Sequence, residues 1–119
     1  MPRKSAKTDA AFLLDIDLAA EGAMRFSAGM SFKQFMADEK TRAAVLHELL
    51  VLGEATKRLS DQVRAANPEI PWKKIAGNRD RLIHGYDEID FESVWNTLTV
   101  DLPALRRQIA PLLPPNPDA

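Results

Sequence analysis

Residues 38–60, DEKTRAAVLHELLVLGEATKRLS, constrain the fold more than any other part of the chain. Ala44, Val45, Leu49, Leu52, Ala55 and Leu59 recur at steps of three and four, which puts them on one face of an α-helix with charge opposite. At the usual pitch the stretch makes about six turns, the length of a bundle's main strut. Gly53 in its interior costs roughly 1 kcal/mol against alanine, so a packing reason such as the close approach of a neighbouring helix is expected there.

The other segments carry the same period. Thr8 can cap a helix over 9–27, with Asp9 in its first turn and Phe12, Leu13, Ile16, Ala20 and Ala23 on one face. SAGMSF then reads as a turn, with Ser31 a cap for the short segment FKQFM. Ser60 can cap a further turn or two, which Pro68 ends. Pro71 suits the first turn of a helix running through Trp72, Ile75, Leu82 and Ile83 to Gly85, a natural left-handed stop. Asp90 can cap the last helix, where Val94, Leu98, Leu102, Leu105 and Ile109 repeat. Pro103 lacks an N–H and clashes with the carbonyl of Thr99, which predicts a kink near 99–103. No segment alternates as a strand does and no repeat is found. The expected architecture is an all-α bundle of four to five helices in one domain, 1–119, with flexible tails at 1–7 and 113–119.

Composition narrows the function. With 45% hydrophobic and 28% charged residues the chain should fold, and a net charge of −1 excludes the basic footprint of a protein that coats duplex nucleic acid indiscriminately. A local basic site remains: Lys73, Lys74, Arg79 and Arg81 lie within nine residues that hold one acid, Asp80. The absence of cysteine removes disulfides, thiolate nucleophiles and Cys-type metal sites, and fits a reducing compartment. MPRKSAK resembles the start of a signal peptide, but Asp15 and Asp17 break the apolar stretch behind it. No run approaches the ~18 apolar residues of a membrane span, and a cytoplasmic location is expected.

The chemistry concentrates in NRDRLIHGYDEID, residues 78–90. On a helix Asp80 and His84 share a face, so the carboxylate can fix the imidazole tautomer and favour its protonated form, as does the negative end of the helix dipole. Arg79 lies about 140° around an ideal helix from His84, so the two flank a common face. A guanidinium fits phosphate oxygens and an imidazole moves protons, which together supply two needs of metal-free phosphodiester cleavage; RNA brings its own nucleophile, the 2′-hydroxyl. The phenol of Tyr86 could bond the same phosphate. As pattern alone, these residues more often mark a solvated helix end with a capping histidine.

GNRDRLIHGYDEID, together with GEA at Gly53–Ala55, PEIPW at Pro68–Trp72, Trp95 and DLP at Asp101–Pro103, resembles the HepT-like proteins of the HEPN superfamily. The resemblance runs in order from about residue 8 to residue 112. It implies a helical homodimer, the toxin of a bacterial toxin–antitoxin pair whose antitoxin is a minimal nucleotidyltransferase. The implied activity is a metal-independent endoribonuclease with a composite cleft between two copies. By this resemblance Arg79 and His84 match the catalytic pair, Asp80 supports them, and Tyr86 matches the tyrosine that the partner modifies with AMP. Asp80 stands where asparagine is common in the family; other HEPN proteins carry aspartate there. Lys73, Lys74 and Arg81 are candidate RNA contacts, and neither cofactor nor metal is expected. The rival reading is a non-catalytic subunit that binds substrate for, or regulates, a nucleotidyltransferase.

The remaining candidates read as structural. His47 has no second ligand at i+4 and reads as a surface or packing histidine. Trp72 and Trp95 read as core or dimer anchors ahead of base-stacking platforms, and Met24, Met30 and Met36 as adaptable fillers. Glu54 interrupts the apolar stripe and reads as a buried carboxylate paired with an arginine.

Overall fold

The computed structural model describes residues 8–77 and 89–115. Five helix starts are set by side-chain caps, four of them the residues expected to cap, because each free N–H of a first turn needs an acceptor; the fifth, Asp38, was expected as the first residue of its helix. Helix α1 (Asp9–Phe26) opens with the Thr8 hydroxyl accepting from the Ala11 N–H at 3.2 Å. Helix α2 (Phe32–Ala37) has a capping box, in which the Ser31 hydroxyl accepts from Gln34 N–H and the Gln34 side chain accepts from Ser31 N–H. Asp38 opens α3 (Glu39–Arg58), Ser60 opens α4 (Asp61–Ala66), and Asp90 opens α6 (Phe91–Asn96) by accepting from Glu92 and Ser93 N–H. Between α1 and α2 the chain turns at Gly29, whose φ of +77° is the left-handed conformation that favours glycine.

The frame is the α1–α3 pair, which runs antiparallel. At one end Ser60, just beyond α3, donates its N–H and hydroxyl to the two Asp9 carboxylate oxygens at 2.9 and 2.7 Å. Farther along α1, Gly22 meets Glu48, and a Cβ added at Gly22 would lie 2.8 Å from Glu48 Oε2. Ile16, Ala20 and Ala23 of α1 are buried in one core with Val45, Leu49 and Leu52 of α3. Gly53 is buried in α3.

Helix α2 closes one end of this pair. Phe35 is fully buried, with its ring centroid 5.2 Å from that of Trp95 and 6.3 Å from that of Phe91. Arg42 of α3 donates to the carbonyls of Met36 and Phe35 and lies over the Phe91 ring. Trp95 therefore packs against the core, as Trp72 does, with its indole N–H donated to Asn67 O at 3.0 Å. Met24 and Met30 also pack there, whereas Met36 is exposed.

Helix α5 occupies 72–77, and the part of it expected from 78 to Gly85 lies outside the described residues. Pro71 stands just before it rather than within its first turn, its carbonyl accepting from Ile75 N–H at 3.1 Å. The kink expected near 99–103 takes the form of a π-helical turn, Thr97–Asp101, between α6 and α7 (Leu102–Ile109). The Leu102 N–H reaches back to Thr97 O, five residues earlier, and the wider ring makes room ahead of Pro103. Helix α7 is held to α1 by Arg106, which donates to Asp17 at 2.9 Å; that carboxylate raises the Arg106 pKa against the opposing effect of burial. The chain then makes one tight turn, Ala110–Leu112, and Leu112 and Leu113 pack against the core, so residue 113 is not part of a loose tail.

Among the described residues the fold is all-α, with no strand, and no helix is long and apolar enough to cross a membrane.

Candidate functional site

Arg79, Asp80, Arg81, His84 and Tyr86 lie outside the described residues, as does the contact expected between Asp80 and His84. The structure does describe what leads into and out of that segment. The chain enters from α5, which turns Trp72 and Ile75 inward and leaves Lys73 and Lys74 exposed, and returns at Ile89 and Asp90 to start α6. Lys74 and Asp90 line one polar cavity of about 360 Å³, with Glu92, Ser93, Asn96 and Asp101. Three carboxylates against one ammonium make this recess a poor seat for phosphate.

Of the candidate RNA contacts, Lys73 is exposed, whereas Lys74 is engaged: its Nζ lies 3.1 Å from Asp101 Oδ2 in the π turn. That oxygen is buried and makes no hydrogen bond, so the contact is an ion pair without hydrogen-bond geometry. A second, mainly apolar cavity of about 280 Å³ lies on the other side of the pair, walled by Leu52, Ile75, Leu102 and Leu105. The sequence offered no sign of the Lys74–Asp101 pair beyond the DLP motif itself.

The remaining candidates sit as structural residues. His47 is exposed on α3. Glu54 is partly exposed, not buried as expected, and accepts from Arg58 Nε at 3.1 Å one turn on. Among the described residues no group of three or more His, Asp or Glu side chains is placed to hold a metal ion.

A bundle built on one long antiparallel pair, with a short helix delivering an R-x-x-x-x-H-x-Y segment, defines a helical protein of the HEPN type. The chain belongs to the HepT-like family: the model of that family, described as Ribonuclease HepT-like, matches residues 16–112. It is 38% identical over 95 residues to "Probable ribonuclease HepT" of Thermococcus cleftensis, covering 80% of this chain and 86% of the relative. It is 33% identical over 113 residues to "Putative RNase MJ0125" of Methanocaldococcus jannaschii, covering 95% of each. A second protein of that organism, "Putative RNase MJ0127", is 38% identical over 103 residues, 87% of this chain and 83% of the relative. No solved structure matches the chain.

Proposed function

We propose that this chain is an endoribonuclease toxin that cleaves RNA without a metal, using Arg79 and His84 from two copies facing one another across a dimer cleft. The observation that carries the reading is the family match over 16–112, which spans the whole R-x-x-x-x-H-x-Y segment. Relatives of similar length named as ribonucleases support it.

In this mechanism His84 takes the proton of the 2′-hydroxyl or delivers one to the leaving 5′-oxygen, the second role falling to the other copy's histidine. Arg79 stabilises the charge that develops on the phosphorane. The 2′-oxygen bonds to phosphorus as the bond to the 5′-oxygen breaks, leaving a 2′,3′-cyclic phosphate and a 5′-hydroxyl. The antitoxin is a nucleotidyltransferase that adds AMP to Tyr86, placing negative charge and bulk where RNA phosphate must lie.

The test is RNA cleavage by purified, partner-free protein. His84→Ala and Arg79→Ala are each expected to lower kcat at least ~100-fold, the scale of a lost acid–base or oxyanion group. A 2′-deoxy nucleotide at the cut site should abolish cleavage, and continued cutting there would reject the mechanism. Wild-type protein no more active than His84→Ala would leave the chain as a non-catalytic subunit of its nucleotidyltransferase. Mass spectrometry after co-expression with that partner should find AMP on Tyr86; an unmodified tyrosine would leave inhibition to binding alone.

A further inference from the structure

The DLP motif at Asp101–Pro103 has so far no role in the reaction, and the structure supplies one. Pro103 imposes a π turn, and the extra residue that such a turn accommodates places Thr97 and Asp101 together in the walls of two adjoining cavities. Across both cavities stands Lys74, whose ammonium lies 3.1 Å from Asp101 Oδ2.

Two facts distinguish this pair from an ordinary surface ion pair. The Asp101 side chain is only 29% exposed, and its Oδ2 is out of water with no hydrogen bond, so among the described residues Lys74 alone compensates it. The Lys74 side chain is itself 56% exposed, so the pair is half-open, but removing its cation leaves a carboxylate oxygen out of water and uncompensated, which is costly. In addition, α5 is loosely packed on this side, with about 280 Å³ of space between it and the π turn and α7. Close packing fixes a helix by interdigitation. Where that is missing, a polar tie decides the position.

We propose that Asp101 and Lys74 are positioning residues: the pair fixes where α5 lies, and Arg79 follows two residues after Gly77, the last described residue of that helix. This rests on the nuclease reading above. Displacement of a reacting group by about 1 Å costs on the order of 100-fold in rate, so a tie five residues before Arg79 acts on kcat. Lys74 then serves the reaction through the fold, without binding RNA itself.

The experiment is a double-mutant cycle on kcat and KM with Lys74→Met, Asp101→Asn and the pair combined, in the full-length protein. Each single change is expected to lower kcat about 10-fold while KM stays within about twofold, and the double variant should be no worse than either single. Lys74→Arg, which keeps the charge, should retain most of the rate. Asp17→Asn, which removes the long-range ion pair to Arg106, controls for lost stability and should leave kcat intact at 25 °C. A raised KM in Lys74→Met with a silent Asp101→Asn would overturn the proposal and make Lys74 an RNA contact; losses that multiply in the double variant would overturn it too. If wild-type protein cuts no RNA, the nuclease reading falls and amide hydrogen exchange over 72–84 decides the structural part. Faster exchange in each single variant and no further gain in the double supports the tie, and unchanged exchange refutes it.

Discussion

The α1–α3 pair and the corner where α5 meets the π turn use similar residues to opposite effect. Along α1 and α3, alanine and glycine let the helices close until no space is left: Ala20 and Ala23 are fully buried, and Gly22 sits against Glu48. At the corner, Ala104 borders a cavity of about 280 Å³ and an ion pair spans the gap. One region is held by shape and the other by charge. A region held by shape tolerates added volume only where a flexible side chain can give way, whereas one held by charge has room to spare.

The strongest test of that contrast is to make one substitution in both places. Ala20→Leu inserts three carbons into a filled core and should cost about 1–3 kcal/mol by overpacking. Ala104→Leu adds the same carbons beside empty apolar volume and should be neutral or slightly stabilising, since burying each methylene contributes up to about 0.8 kcal/mol. Paired urea denaturation curves measure the difference. Equal destabilisation at both sites would mean that the corner is as closely packed as the frame.

Such contrasts were only partly legible in the sequence, and the division follows the range of the interaction. Thr8, Ser31, Ser60 and Asp90 cap the helices they were expected to cap, because a cap acts on amides two or three residues away. Pro103 announced its disturbance for the same reason, although a clash four residues back does not say whether the helix bends or takes up a π turn. By contrast Asp17 and Arg106 are 89 positions apart, and nothing local to either names the other. The ring cluster of Phe35, Phe91 and Trp95 likewise exists only once α2 has docked. Lys74 shows how this bears on the site. Within its segment it reads as one more cation for RNA, and only the fold brings Asp101 to it. The chemistry proposed for the site rests on the R-x-x-x-x-H-x-Y spacing and the resemblance, both independent of docking; the Lys74–Asp101 pair had no such local sign.

A smaller effect separates the two kinds of attachment within the frame itself. Asp9 joins the start of α1 to the start of α4 through the Ser60 N–H and hydroxyl, and these bonds, the backbone one foremost, hold its carboxyl below the usual carboxylate range. A folded-state pKa below the unfolded value means the bonds stabilise above about pH 4, and that contribution is lost as pH falls through the lower, folded value. The contact is partly open to solvent, so Asp9→Asn should cost no more than about 1 kcal/mol at pH 7. The gap between wild type and variant should persist at pH 5 and close in more acid solution. A gap unchanged at pH 2 would show that the charge contributes nothing and that packing alone holds this end.

The smallest effect is expected where the frame looks tightest. A Cβ at Gly22 would come within 2.8 Å of Glu48 Oε2, closer than real contacts allow, so something must shift in Gly22→Ala. The obstructing atom is the far end of a flexible side chain, and rotating the carboxylate away breaks no core contact. Against that stands the helical preference of alanine over glycine, roughly 1 kcal/mol in an interior turn. The two nearly balance, and Gly22→Ala should change stability by no more than about 0.5 kcal/mol, with the sign towards stabilisation. A loss above about 2 kcal/mol would mean that the backbones, not the carboxylate, are in contact, and that α1 and α3 close on one another through glycine as helices do at small-residue crossings. Measured beside Gly29→Ala, where φ of +77° penalises any side chain by about 1–2 kcal/mol in open space, the result separates crowding from backbone strain.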